Sequence, residues 1–150
     1  MFAKILVAVD GSPSAHKAVE VAGDLAGRYA APLTVLHVLP RAGSTVVPED
    51  LIPYLTVEHL RMTEADFLRS AAEETVRTEA DFLRSEGGLT VSGVVEVGDP
   101  AETIVRYARE HGIDLIVIGS RGRGQLAELM LGSVSHKVAQ LAPCTCITVR

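Results

Sequence analysis

The sequence predicts an α/β fold in which an open, five-stranded parallel sheet is covered by helices on both faces. Short segments that are almost wholly apolar alternate along the chain with longer segments of helical periodicity, which is the pattern of strands buried on both faces. With 150 residues, of which 47% are hydrophobic and 22% charged, the chain is long and apolar enough to enclose a core. We therefore expect one domain over residues 1–150.

Turn and capping residues divide the chain into these elements. The predicted strands cover residues 3–9, 32–39, 88–97, 114–120 and 144–150. Ser12 is a favourable N-cap and Pro13 suits the first helical position, so a helix is predicted from about residue 13 to 30. Asp99 and Pro100 repeat this pattern after the third strand, with Glu102 in capping-box spacing. A last helix is predicted over about residues 133–142.

A longer helix is predicted between the second and third strands. Tyr54–Glu86 holds no glycine or proline, and its apolar residues follow helical spacing over about 45–50 Å. The octapeptide TEADFLRS occurs twice in it, at Thr63–Ser70 and at Thr78–Ser85, which indicates a local duplication. An offset of fifteen residues is four turns plus about 60°, so Phe67 and Phe82 are expected to share one wide apolar face. A helix of this length is expected to protrude beyond the sheet or to break.

Composition excludes several classes of protein. The formal net charge of −5 argues against a nucleic-acid-binding protein, and no apolar stretch is long enough to span a membrane. The first apolar run ends at Asp10, too early for a signal peptide, so we expect a cytoplasmic protein. Cys144 and Cys146 lie two apart, which suits neither a disulfide nor, by themselves, a zinc site.

The segment Gly119–Ser133 is the strongest candidate for chemistry, because its glycines follow the fourth strand directly. A Walker A loop is excluded, since no Gly-Lys-Ser/Thr triplet occurs in the sequence. The residues Gly122–Ala127 fit the dinucleotide fingerprint G-x-G-x-x-A, but that fingerprint normally follows the first strand and has an acidic residue about twenty positions on. Here the strand is the fourth, and no Asp or Glu follows Glu128, so the sequence argues against NAD or FAD bound in the standard mode.

The spacing of the glycines predicts a phosphate cradle in two parts. Gly119, Gly122 and Gly132 with Ser133 form the pattern G-x2-G-x9-G-S. The first two glycines remove side chains where the backbone leaves the strand, and the last begins a helix whose free N–H groups favour an anion. Hydroxyls of Ser133 and Ser135 and the charges of Arg121 and Arg123 are expected to assist.

Four segments together resemble the universal stress protein family: VAVDGSPSA, LHVL, GDPAETIV and GSRGRGQLAELMLGSVSHKVAQLAPC. The resemblance covers nearly the whole sequence, and in that family the pattern G-x2-G-x9-G-S marks the members that bind ATP. It implies a Rossmann-like sheet of the adenine nucleotide alpha hydrolase type. It also implies ATP as ligand, with Mg²⁺ carried by the phosphates, and a homodimer built partly from the last strand. The family commonly has proline where this sequence has Thr145, whose N–H is therefore expected to alter the dimer seam.

The resemblance implies roles for matching positions. It implies that Asp10 lies at the adenosine end of the cleft and that the main chain of Val38 contacts the adenine. It further implies that the ribose and phosphates are held by Gly119, Arg121, Gly122, Gly132, Ser133 and Val134. The candidate nucleotide-binding set is completed by Ser12, Ser120, Arg123, Gly124 and Ser135.

We therefore expect an ATP-binding sensor or regulator of the stress response that acts on an unidentified protein partner. One alternative is a slow ATPase or an autophosphorylating enzyme with Ser133 or Ser135 as acceptor; another is an interaction module without nucleotide. No catalytic residue is assigned, because the loop offers no clear carboxylate to position water. A phospho-receiver domain does not fit, because Glu96 and Asp99 form no clear acidic pocket with Asp10.

Overall fold

The computed structural model describes residues 1–41, 64–120 and 132–150. In these ranges strands and helices alternate, and the predicted strands and helices are confirmed with ends shifted by at most a few residues. The strands are β1 (Ile5–Ala8), β2 (Leu33–Leu39), β3 (Val91–Val97), β4 (Leu115–Gly119) and β5 (Thr145–Val149). The helices are α1 (Pro13–Tyr29), α2 (Glu64–Ser85), α3 (Pro100–Glu110) and α4 (Ser133–Leu141). No helix within the described ranges is long and apolar enough to cross a membrane.

The strands form one parallel sheet in the order β3-β2-β1-β4-β5, so the predicted Rossmann-like α/β architecture is confirmed. The polypeptide moves from β1 outward to β3, returns through α3 to β4, and then moves outward to β5 on the other side. The winding direction therefore reverses between β1 and β4, and ligands of such sheets bind outside the carboxyl ends of the strands at this point.

Each face of the sheet carries its own hydrophobic core. α1 and α2 pack on one face, where Val7, Val35, Val117 and Leu83 are among the fully buried side chains. α3 and α4 pack on the other face, around residues such as Leu6 and Leu36. Because both faces are covered, β1 and β4 are buried along their whole length.

The two predicted N-caps are confirmed. The Ser12 hydroxyl accepts a hydrogen bond from the Ala15 N–H (3.2 Å), and the Asp99 carboxylate accepts one from the Glu102 N–H (3.0 Å). Each satisfies one of the N–H groups that a helix start leaves without an intrahelical partner.

The two copies of the repeat lie in different surroundings. In the second copy Glu79 and Leu83 are buried, whereas in the first copy Glu64 is exposed and Leu68 is half-buried. Both phenylalanines are half-buried, and of the two Phe82 packs against the core. Of the two copies, the second is therefore the one that packs into the core of this face, next to the buried Val76.

Glu79 is held by α1. Its carboxylate lies 2.8 Å from His16 Nδ1, and the His16 ring meets Phe82 edge to face with 4.9 Å between ring centroids. A buried carboxylate is costly without such a partner, so this contact ties the second copy to the first turns of α1.

The described part of α2 is unbroken and longer than the sheet. Its 22 residues extend about 33 Å, against about 23 Å for a seven-residue strand such as β3. The helix is thus about 10 Å longer than such a strand, and its first residues, 64–71, include no buried side chain. The predicted helical residues before Glu64 lie outside the described ranges.

Candidate functional site

The candidate site is the crevice at the carboxyl ends of β1, β2 and β4. The turn after β1 brings Asp10 and Ser12 to this edge, β2 brings Val38, and β4 brings Gly119 and Ser120. α4 starts beside them, because the Gly132 N–H donates to the Ser120 C=O. The structure therefore collects the described members of the predicted set, which lie far apart in sequence, at one edge of the sheet.

The turn after β1 is built by Asp10 and the residues that follow. The Asp10 carboxylate accepts the Ser12 N–H at 2.9 Å, and Gly11 has a φ of +83°, a conformation that glycine adopts without strain. Ser12 is 6% exposed and caps α1. Asp10 and Ser12 thus shape the turn, and their contact with a nucleotide stays a prediction.

Gly119 is required by packing as well as by any ligand. A Cβ at this position would lie 2.6 Å from Ser14 Oγ and 2.8 and 2.9 Å from the carbonyl carbon and oxygen of Ser14. The absence of a side chain allows the first turn of α1 to rest on the end of β4. The sequence pattern gave this glycine a role toward phosphate alone and missed its contact with α1.

Ser14 is a second contributor that the sequence patterns did not single out. Its hydroxyl donates to the Val149 C=O (3.2 Å), which also accepts the Ser120 N–H (2.7 Å). Ser14 therefore joins α1 to the end of β5 directly beneath the crevice. A small polar residue in the first helical turn, two positions after an N-cap serine, is the signal that could have indicated it.

The first turn of α4 differs from the first turns of α1 and α3 in how it is capped. Gly132 is its N-cap and makes no side-chain capping bond, in contrast to Ser12 on α1 and Asp99 on α3. Ser133 is exposed at this end. The N–H groups of the first turn therefore present the positive end of a helix dipole to the crevice, and the N-cap position supplies no carboxylate or hydroxyl to them.

Two serines beside this turn have distinct roles. The Ser135 hydroxyl is 2% exposed and lies within hydrogen-bonding distance of the carbonyls of Gly132 (2.9 Å) and Ser120 (3.3 Å). It fixes α4 to the end of β4, which makes it inaccessible as a phosphate acceptor. The Ser120 hydroxyl is buried, and it has no hydrogen-bond partner among the described residues.

The main chain of Val38 faces the crevice. Val9 N–H donates to Leu36 C=O (2.9 Å), and the β1–β2 ladder ends at the pair Ala8–Leu36. Because neighbouring residues of a strand direct their main-chain groups to opposite sides, Leu36 and Val38 both point toward β1. β1 has ended at the level of Val38, so its N–H and C=O project into the space beyond that strand.

The remaining predicted site residues, Arg121, Gly122, Arg123 and Gly124, lie outside the described ranges. No group of three or more His, Cys, Asp or Glu side chains able to hold a metal ion occurs in residues 1–41, 64–120 and 132–150.

β5 and the turn before it carry the two cysteines, which are free. Burial raises the pKa of the Cys146 thiol to about 11, and the neighbouring Cys144 adds to the effect. Burial also raises the pKa of Cys144, with the Asp114 carboxylate contributing. Both thiols are therefore protonated at neutral pH and are weak nucleophiles.

We expect native Cys146 to react with iodoacetamide at pH 7.5 about a hundredfold more slowly than Cys146 in the urea-unfolded protein. The reason is that the pKa of this thiol is about 11 in the folded protein and about 9 in the unfolded one, and the thiolate is the reactive form. Mass spectrometry of the labelled peptide checks this. The same shift predicts a loss of stability between about pH 9, where the unfolded thiol ionises, and about pH 11, with the full contribution present below pH 9. Equal labelling rates in the folded and unfolded protein would contradict the burial argument.

Comparison with known proteins supplies a family. The model of the universal stress protein family matches residues 1–150. Universal stress protein YxiE of Bacillus subtilis is 39% identical over 158 aligned positions that cover 100% of both chains. The solved structure of UspA from Lactobacillus plantarum superposes with a TM-score of 0.78 at 32% identity, covering 99% of this chain and 98% of that one.

Two further solved universal stress proteins hold adenine nucleotides. One, from Archaeoglobus fulgidus, is in complex with dAMP, and its match covers 100% of this chain and 98% of that chain. The other is in complex with cAMP, and its match covers 99% of this chain and 97% of that chain. Each is 24% identical to this chain with a TM-score of 0.69, so their likeness establishes the shared fold.

Proposed function

Because the chain belongs to the universal stress protein family, we propose that it binds ATP in the crevice between β1 and β4 and signals through nucleotide occupancy. In this role it is a sensor or regulator of the stress response. ATP is the ligand expected from G-x2-G-x9-G-S, and Mg²⁺ accompanies its phosphates.

The first turn of α4 is the observation that carries the proposal. Its N–H groups point toward the crevice and its N-cap residue, Gly132, has no side chain to bond them, which suits a phosphate. The buried Ser120 hydroxyl beside it has no partner among the described residues and supplies a further donor. Arg121 and Arg123, between Gly119 and Gly132 in sequence, are expected to add positive charge.

The main chain of Val38 suits recognition of the adenine base. Its outward N–H and C=O offer one donor and one acceptor, which match the acceptor and donor that an adenine edge presents. The complexes of other universal stress proteins with dAMP and cAMP support an adenine nucleotide as the ligand class. The Asp10 carboxylate and the exposed Ser133 hydroxyl are oxygen ligands of the kind that Mg²⁺ prefers.

The test places a charge at the first turn of α4. Ser133→Glu is expected to weaken binding of ATP by at least about tenfold in calorimetry, because its carboxylate competes with phosphate for the same N–H groups. The same charge favours a helix N-terminus, so the thermal midpoint is expected to stay unchanged or to rise. Ser133→Gln, of equal size and without charge, is the matched control: it removes the same hydroxyl, so the additional loss of affinity in Ser133→Glu reports the charge.

Mass spectrometry of gently purified protein separates the alternatives. Bound ATP supports the sensor, whereas ADP or a phosphoserine favours a slow ATPase or an autophosphorylating enzyme. Since Ser135 is buried and bonded to carbonyls, a phosphoserine is expected at Ser133. An empty protein with no calorimetric response to ATP, or unchanged affinity in Ser133→Glu, would refute the proposal.

A homodimer through β5 remains part of the proposal. β5 pairs with β4 on one side, and no other described strand lies beyond it. The bond from Ser120 N–H to Val149 C=O directs the main-chain groups of Thr145, Ile147 and Val149 toward β4. The expectation that the Thr145 N–H lies at the seam is therefore wrong: Cys146 and Thr148 present their main-chain groups to the open edge.

A further inference from the structure

β3 forms the other edge of the sheet, opposite β5. It pairs with β2 on one side, and no described strand pairs with its outer side. Leu33 N–H donates to Thr90 C=O and Gly98 N–H to Leu39 C=O, both at 2.9 Å. These bonds fix which residues face β2, so the alternate residues Val91, Gly93, Val95 and Val97 direct their N–H and C=O outward.

Within the described ranges, the outer edge is covered at its start and exposed toward its end. Arg84 Nη2 donates to the Val91 C=O (3.1 Å), which both confirms the outward direction of Val91 and occupies its carbonyl. Gly93 is exposed and Val97, at the end of the strand, is 48% exposed. Three residues, Gly93, Val95 and Val97, thus offer a ladder of main-chain donors and acceptors to an added strand.

A groove runs between this edge and α2. It has a volume of about 400 Å³. Its floor is apolar: Val76 reaches over Gly93, where a Cβ would lie 2.5 Å from Val76 Cγ1. Its rim is formed by Arg69, Arg77 and Arg84 together with Glu73.

The groove is lined by more positive than negative charge. Three arginines and one glutamate give the lining itself a formal charge of +2, and the carboxylates of Glu74 and Asp81, which pair with Arg77 and Arg84, lie outside the lining. Each arginine has a carboxylate partner one helical turn away, but the side chains of all these pairs are half or more exposed. Exposed pairs of this kind contribute little to stability, so the arginines exchange partners at low cost.

From the open edge and the arginine rim we infer that β3 binds an extended, acidic segment of a partner protein by strand addition. Main-chain bonds to Gly93, Val95 and Val97 hold the segment, and carboxylates on its α2-facing side meet the arginines. Arg69 and Arg77 are eight residues apart on α2, about 12 Å along the helix, which matches the roughly 13 Å between side chains four residues apart on a strand. This surface is independent of the nucleotide crevice.

The test uses the whole protein and a blocked peptide of about nine residues in which valine and glutamate alternate. Fluorescence anisotropy measures its binding at low and moderate salt. Hydrogen exchange followed by NMR is expected to show new protection of the amides of Gly93, Val95 and Val97. The amides of the intervening residues face β2 already and are expected to change little.

Two variants test the two parts of the surface. Val97→Pro removes an outward N–H and is expected to weaken peptide binding about tenfold, whereas Val97→Thr retains the N–H and most of the affinity. Arg69→Glu with Arg77→Glu is expected to weaken binding at least about tenfold and to remove its dependence on salt. All these side chains are exposed to a large extent, and circular dichroism verifies that each variant is folded.

The inference is overturned by any of three results. These are absence of binding at millimolar peptide, equal binding of a peptide with lysine in place of glutamate, and unchanged binding by Val97→Pro. Self-association of an Arg69→Ala, Arg77→Ala variant without peptide binding in the parent would also overturn it, since the arginines would then serve to keep edge strands of different molecules apart.

Discussion

Leu83→Ala is expected to lower the free energy of unfolding by about 3 kcal/mol, whereas Leu68→Ala is expected to cost less than about 1 kcal/mol. Both leucines occupy the same position of TEADFLRS, so the two substitutions remove the same atoms from the same local sequence. Leu83 is fully buried, with its Cδ2 2.7 Å from the position that a Cβ on Gly23 would take. Truncation there leaves a cavity between α1 and α2, while the half-buried Leu68 loses less contact.

Urea unfolding followed by circular dichroism measures both losses. For a protein of this size the larger loss corresponds to a fall of roughly 6–12 °C in the thermal midpoint. Since both variants carry the same change in helix propensity, the difference between them isolates tertiary packing. Equal losses at the two positions would mean that the first copy is packed as tightly as the second, contrary to the structure.

Gly119→Ala is expected to cost about 2 kcal/mol, because its Cβ would meet the main chain of Ser14 as well as its hydroxyl. The hydroxyl of Ser14 is able to rotate away, but main-chain atoms at 2.8 and 2.9 Å move only if the first turn of α1 moves. That turn is capped by Ser12 and follows Asp10. We therefore also expect a weaker affinity for ATP in this variant.

Gly27→Ala is the matched control. Its Cβ would lie 3.8 Å from Leu89 Cδ2, which is ordinary contact, within α1. Alanine favours a helix over glycine, so a gain of up to about 1 kcal/mol is expected, with unchanged ATP affinity. If Gly119→Ala were as stable as the parent and bound ATP equally, neither the packing role nor the ligand role of this glycine would stand.

Local sequence patterns were sufficient for the elements of the fold. Apolar runs predicted the strands, and Ser12 with Pro13 and Asp99 with Pro100 predicted two helix starts, because capping is a contact between residues three apart. The patterns could not show which copy of the repeat is anchored. An identical octapeptide carries identical local information, and its burial depends on what lies opposite.

The residues that precede each copy of the octapeptide explain why the second copy is the one that is buried. Val76 precedes the second copy and packs over Gly93, while the corresponding position before the first copy is Arg61. Burying an arginine against the sheet would be costly, so the register that buries Val76 is the favourable one. His16 and Gly23 of α1 then receive Glu79 and Leu83.

The features of the candidate site also fall into those that the sequence predicts and those that depend on tertiary contacts. The sequence by itself determined the family, the strand ends and the glycine spacing, because these depend on residue type and order. The tertiary structure decided that Gly119 makes room for Ser14 and that the Ser135 hydroxyl is buried against carbonyls. It also decided that the main chain of Val38 faces the crevice, whereas that of Thr145 faces β4. These facts depend on strand register and on helix approach, which arise from contacts between residues up to 135 positions apart.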